Sequence, residues 1–255
     1  MTYPNDSQAL ANNMGNAAPI PYDAAAQALR EIVFSSESGV SVRCSVAHHH
    51  LIPGNQCLSK LKSDGSPFYP LLLRLCNFYG YDVNCAENGI LLPTVSENLT
   101  ALSGREKMEL YYFIMDEAAK KTARSGGLSG AQLHQGQHTY AGPRKVLSKL
   151  KPEARLYSDY EGLVRDQLQR LEKKYQDRAE TICYMRECEA NGEQSFVKRM
   201  NGISSAMREN ILLFPREAGD RGWRSKRAYV SFPALAYDFG VTWEEYALCF
   251  YPEEG

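Results

Sequence analysis

The sequence predicts an α+β fold dominated by helix, with few strands. Apolar residues at helical spacing fill the longer stretches, strict apolar–polar alternation is confined to short runs, and Gly and Pro punctuate between them. The chain has 255 residues, 44% of them hydrophobic, with 16 Tyr, 9 Phe and 2 Trp, so there is ample surface to bury and no case for a disordered chain.

In chain order, residues 1–22 are polar and rich in Asn, Pro and Gly, and read as a loose arm. Residues 23–34 (DAAAQALREIVF) begin with Asp and continue with Ala, Leu and Ile at helical spacing, which predicts a short helix. Residues 40–47 (VSVRCSVA) alternate and predict a strand that runs straight into HHHLIPGN. Residues 67–80 (PFYPLLLRLCNFYG) predict a buried helix stopped by Gly80. Residues 88–95 (NGILLPTV) predict a short strand ended by Pro93. An amphipathic helix follows over 104–123, then the loop RSGGLSG, then a short helix opened by LHQGQHTY. The longest helical stretch is 152–190, where Tyr160, Val164, Leu168, Leu171 and Tyr175 make one apolar stripe. Residues 191–255 read as Gly-punctuated turns, a strand-like run AYVSFPALAY and a last helix around TWEEYALCF.

Several function classes drop out. No run approaches the roughly 18 apolar residues of a membrane span. The first 27 residues have neither a basic nor an apolar leader region, so no cleaved secretory signal is expected and any export would be signal-independent. Seven Cys, at 44, 57, 76, 85, 183, 188 and 249, are odd in number and nowhere spaced CxxC, which speaks against a disulfide framework or a Cys-type zinc site and for a cytoplasmic setting. The net charge of −1 is unevenly spread: residues 141–230 carry nineteen bases against thirteen acids, and residues 231–255 five acids and no base. The basic block could meet a polyanion or be a solvated helical surface. Arg144, Lys145, Arg221, Arg224, Lys226 and Arg227, the last four around Trp223, are its candidate phosphate contacts.

The chemistry concentrates in the five His, which fall in two groups: His48, His49 and His50, then His134 and His138. The i, i+4 spacing of the second pair puts both imidazoles on one face of a helix, the geometry of a bidentate metal grip. A third His would complete a three-imidazole face with open coordination positions, as in catalytic sites, and a fourth beside it would be a natural general base.

VAHHHLIPGN, then ENGILLP at 87–93, then LHQGQHTY at 133–140, resembles in this order the AHH family of the HNH/endonuclease VII superfamily, nucleases with a ββα-metal (His-Me finger) core. The resemblance covers roughly residues 43–175. It implies a domain plan of an arm and short helix (1–40), a nuclease domain (41–175) with an inserted helix near 104–123, and a C-terminal extension (176–255). It implies that His50 is the general base, that His49, His134 and His138 hold one divalent ion (Mg, Mn or Zn), and that Asn88 orients the base through a hydrogen bond. Gly89 and Pro93 would shape their strand, and Tyr140 would pack or touch a phosphate. A second register stays open. The literal AHH, Ala47–His49, makes His49 the base and His48 the ligand, and along a strand His48 and His50 would share a face opposite His49.

The implied activity is metal-dependent hydrolysis of DNA with little sequence specificity. Such nucleases often act as antibacterial toxins, which implies a cognate immunity protein and a secretion-system adaptor or chaperone as partners and no membrane association. The protein would then be cytoplasmic in its producer and act in the target cell's cytoplasm. A ribonuclease on the same scaffold and a non-catalytic zinc-stabilised binding module are the alternatives.

Overall fold

A computed structural model describes residues 4–17, 19–95, 99–122, 125–131, 133–134, 160–179 and 192–221. The described elements are α1 (Ser7–Ala17), α2 (Pro19–Arg30), β1 (Val33–Ser35), β2 (Ser41–Arg43), β3 (Ser45–His50), α3 (Pro70–Phe78), β4 (Gly89–Thr94), α4 (Gly104–Thr122), α5 (Tyr160–Ala179) and α6 (Gly192–Arg221). The chain is mixed α+β, mostly helical with two small sheets, β1 with β2 and β3 with β4. Among the described residues no helix is long and apolar enough to cross a membrane.

The chain divides into two compact units. One comprises residues 1–17, 50–89 and 161–208, the other 18–49, 90–160 and 209–255. In the first, α3 is the buried helix expected, with Leu72, Leu75 and Cys76 inside. Glu172 of α5, itself 1% exposed, accepts the amides of Leu71 (3.0 Å) and Leu72 (2.8 Å) in the first turn of α3, whose donors have no partner within the helix. The α5 stripe is buried as its spacing predicts at Val164, Leu168 and Leu171, and Tyr175 packs on Phe196 of α6.

Two expectations about helices fail. Residues 7–17 form a helix rather than a loose arm. Asp6 caps it, its carboxylate accepting the amides of Gln8 and Ala9 at 2.9 Å, and Leu10 and Met14, one turn apart, bury its inner side. Residues 192–221 are one 30-residue helix rather than Gly-punctuated turns. Burial of Phe196, Met200, Ile203 and Met207 at steps of four, three and four outweighs the cost of Gly202, where a Cβ would meet open space.

In the second unit the antiparallel hairpin β1–β2 pairs Phe34 with Val42, and α4 packs on α2 and β1. The helix expected over 23–34 therefore ends at Arg30, because Val33–Ser35 pairs as a strand instead. Phe34 meets Phe113 of α4 at 5.7 Å between ring centres. The start of α4 is a reciprocal cap: the Ser103 amide donates to Glu106 (2.9 Å) and the Glu106 amide to the Ser103 hydroxyl (3.2 Å). The same carboxylate accepts the amide of Ser38 at the hairpin tip (3.2 Å).

The histidine-bearing segments and their family

The single strand expected over 40–47 is two, β2 and β3, parted at Cys44 and paired in different sheets, and β3 runs on to carry the three histidines at its end. β4 continues past Pro93 to Thr94. The Gly-rich loop after α4 lies along β4. The Leu91 amide donates to the Leu128 carbonyl and the Gly130 amide to the Leu91 carbonyl, both at 2.9 Å, and the His134 amide reaches the Pro93 carbonyl at 2.7 Å. Glycine is required here: Gly126 and Gly127 have φ of +62° and +88°, and a Cβ on Gly130 would come within 2.7 Å of Ile211 and 3.0 Å of Leu92. This run sets the position of His134.

In that unit His49, 4% exposed, lies edge-on to His134 with ring centres 5.0 Å apart and 65° between planes. Two imidazoles on one tetrahedral ion, with metal–nitrogen bonds of about 2.1 Å, hold their ring centres about 5 Å apart, so this pair fits a shared ion in spacing and in donor chemistry. His48 faces elsewhere: its Nε2 is 2.7 Å from the Tyr22 hydroxyl, and the two rings stack at 6.0 Å. His138 and Tyr140, with the helix expected around them, lie outside the described residues, as do Arg144, Lys145, Trp223, Arg224, Lys226 and Arg227. Among the described residues no three His, Cys, Asp or Glu side chains gather as a metal site.

His50 belongs to the other unit and is 5% exposed. Burial pulls its pKa below the ordinary histidine value; its hydrogen bond to the Asn84 side-chain oxygen and the charges of Asp82 and Asp6 oppose that shift. The expected hydrogen bond from Asn88 to His50 is not made. The partner of His50 is Asn84, whose Oδ1 lies 2.8 Å from Nε2. Asn88, fully buried, uses its whole amide elsewhere: Oδ1 accepts from the Ile52 amide (2.8 Å) and the Ser204 hydroxyl (2.7 Å), and Nδ2 donates to the carbonyls of Ile52 (3.0 Å) and Val83 (2.7 Å). With the Leu51 amide on the Asn88 carbonyl (2.8 Å), Asn88 pins the two residues that follow His50 and reaches His50 through backbone alone. Arg208 donates to the carbonyls of Glu87 and Gly89 on either side of it.

The residue that the sequence reading missed is Asn84. Its only local signal is a turn: its own amide donates to the carboxylate of Asp82 at 2.9 Å, which marks a bend and says nothing of a histidine 34 positions away.

Residues 35–183 match the model of a nuclease family described as belonging to the HNH/ENDO VII superfamily with conserved AHH. The chain belongs to the AHH nuclease family. The match spans more than half of the 255 residues and includes all five histidines. No curated protein and no solved structure matches significantly. Membership implies a ββα-metal core and hydrolysis of nucleic acid, in a superfamily whose members typically use a divalent metal.

Proposed function

We propose that this AHH nuclease is a metal-dependent endonuclease that hydrolyses DNA with little sequence specificity. The observation that carries the reading is the edge-on pair of His49 and His134, one peptide bond before the buried His50. His49, His134 and His138 would hold one divalent ion. Three imidazoles suit zinc, nickel, cobalt or manganese better than magnesium by softness. When bound, the ion supplies positive charge for the transition state and for the departing oxygen.

The remaining work falls to the chain. His50 takes a proton from water, the water oxygen bonds to phosphorus in line with the leaving group, and the phosphorus–oxygen bond opposite breaks. The released oxygen collects its proton from solvent. Burial lowers the pKa of His50 and so favours its neutral form, the state in which it can accept that proton. Asn88 keeps residues 51–52 in place so that His50 does not drift. The partnership of His48 with Tyr22 favours the register in which His49 is the ligand and His50 the base.

The biological role we assign is that of an antibacterial effector toxin, made in the producer's cytoplasm, restrained there by an immunity protein and delivered with an adaptor or chaperone. It rests on the likeness to toxin-type nucleases. Growth arrest on expression in a bacterial host, relieved by His50→Ala, would support it; unimpeded growth with active nuclease would point to a defence or restriction role.

Supercoiled plasmid and structured RNA, each incubated with magnesium, manganese, zinc or EDTA, test the chemistry. Metal-dependent plasmid nicking that His49→Ala and His50→Ala both abolish is the expected outcome. Cleavage of RNA alone would make it a ribonuclease, and two intact substrates would leave a zinc-stabilised binding module.

A further inference from the structure

We propose that Asn84, braced by the N-terminal segment, is a positioning residue that holds His50 as its Nε2–H tautomer, so that Nδ1 is the atom that accepts the proton. The proposal builds on His50 as the base.

The atoms decide the direction of the bond. A side-chain amide presents an oxygen that only accepts and a nitrogen that only donates. The Asp6 amide donates to the Asn84 side chain at 3.0 Å, and a backbone N–H has no use for a second donor, so the atom there is Oδ1. That same oxygen lies 2.8 Å from Nε2 of His50. An acceptor at that distance requires a hydrogen on Nε2. Neutral imidazole carries one hydrogen, which leaves the Nδ1 lone pair for chemistry. When Nδ1 takes a proton, the Nε2–H bond to Oδ1 strengthens, because its donor is then charged.

Asn84 has little freedom to turn away. Its amide donates to Asp82, and its carbonyl accepts from the Asn13 side chain at 2.8 Å. Asp6 is fixed in turn as the cap of α1, and Asn5 anchors the chain ahead of it to Gly54 (2.6 Å) and Gln56 (2.9 Å), just past Pro53. Beneath, Leu10 and Met14 fill the space that Gly89 leaves by having no Cβ. Asn5, Asp6 and Asn13 all precede residue 35, where the family match begins. Asn84 lies within the matched region, and the residues that brace it lie outside.

The test is long-range ¹H–¹⁵N correlation of the histidine rings in metal-free full-length protein at a pH where His50 is neutral, with His50→Ala assigning the signal. Wild type is expected to show His50 protonated at Nε2. Asn84→Ala gives a tautomer mixture, Asn84→Asp retains Nε2–H, and Asn13→Ala moves the signal part-way towards the mixture. In plasmid cleavage Asn84→Ala lowers kcat about 10- to 100-fold with KM unchanged, and Asn84→Asp restores most of it. An Nδ1–H tautomer in wild type, or a signal that Asn84→Ala leaves unmoved, overturns the proposal. The spectrum needs no substrate, so a chain that cleaves nothing would sink the nuclease reading and leave the tautomer result standing.

Discussion

The Ser204 hydroxyl, on α6, donates to Oδ1 of Asn88 across 116 positions of sequence, at 2.7 Å. It closes the last free valence of an amide that already holds both backbone groups of Ile52. Ser204→Ala removes one donor of two and should cost about 1 kcal/mol in urea unfolding. Asn88→Ala strands several buried backbone groups at once and should cost about 3 kcal/mol. Asn88→Asp keeps the acceptor but puts a carboxylate against the carbonyls of Ile52 and Val83, and should fare no better than alanine. Equal, small losses for all three would mean that Asn88 does not pin the end of β3.

His49 and His134 make separable predictions about the metal. Each alanine variant should weaken zinc or manganese binding, measured by calorimetry on metal-stripped protein, by more than the roughly 10- to 100-fold that loss of an outer-shell partner costs. His48→Ala should bind the ion as wild type does, because His48 is engaged with Tyr22. The opposite pattern, with His48→Ala losing the metal, would restore the literal AHH register.

Gly89 offers a packing test with a built-in control. A Cβ there would collide with Met14 and come within 2.9 Å of Leu10. Gly89→Ala should therefore destabilise by about 1–3 kcal/mol, the range for overpacking a filled site. Met14→Ala makes room, so the double variant should lose less than the sum of the two single variants. Additive losses would show that α1 does not press on this strand.

What could be read ahead of the structure was what repeats locally. The helix over 104–123 and the stripe from Val164 to Leu171 declare themselves by period; the alternation over 40–47 marks extended chain but not its division into β2 and β3. The histidine groups stand out by residue type, and the structure brings His49 beside His134. The helix at 7–17 was not, since only Leu10 and Met14 are buried and its Asn residues make specific hydrogen bonds instead of a polar face. Glycine at 192 and 202 suggested turns that distant packing overrode. Asn84 was beyond reach for a related reason: its bonds to Asp6 and His50 cross 78 and 34 positions, and nothing in DVNC encodes either partner.

Glu106 gives the pH dependence. Hydrogen bonds from Ser38, and after it Ser103, hold its carboxyl down at about 2, below the usual glutamate value of 4.5. The folded chain thus binds the carboxylate form more strongly than the unfolded chain does. That contribution is complete above about pH 4.5 and is lost as pH falls from there towards 2, the direction set by the unfolded state binding more protons. Glu106→Gln cannot ionise, so its stability should fall less steeply than wild type between those limits, while at pH 7 it should be the less stable of the two. The same substitution loosens the tip of β1–β2, where Ser38 donates to this carboxylate, and hydrogen exchange at the Ser38 amide should quicken. Parallel acid-unfolding curves for the two proteins would show that the cap of α4 carries no share of the acid sensitivity.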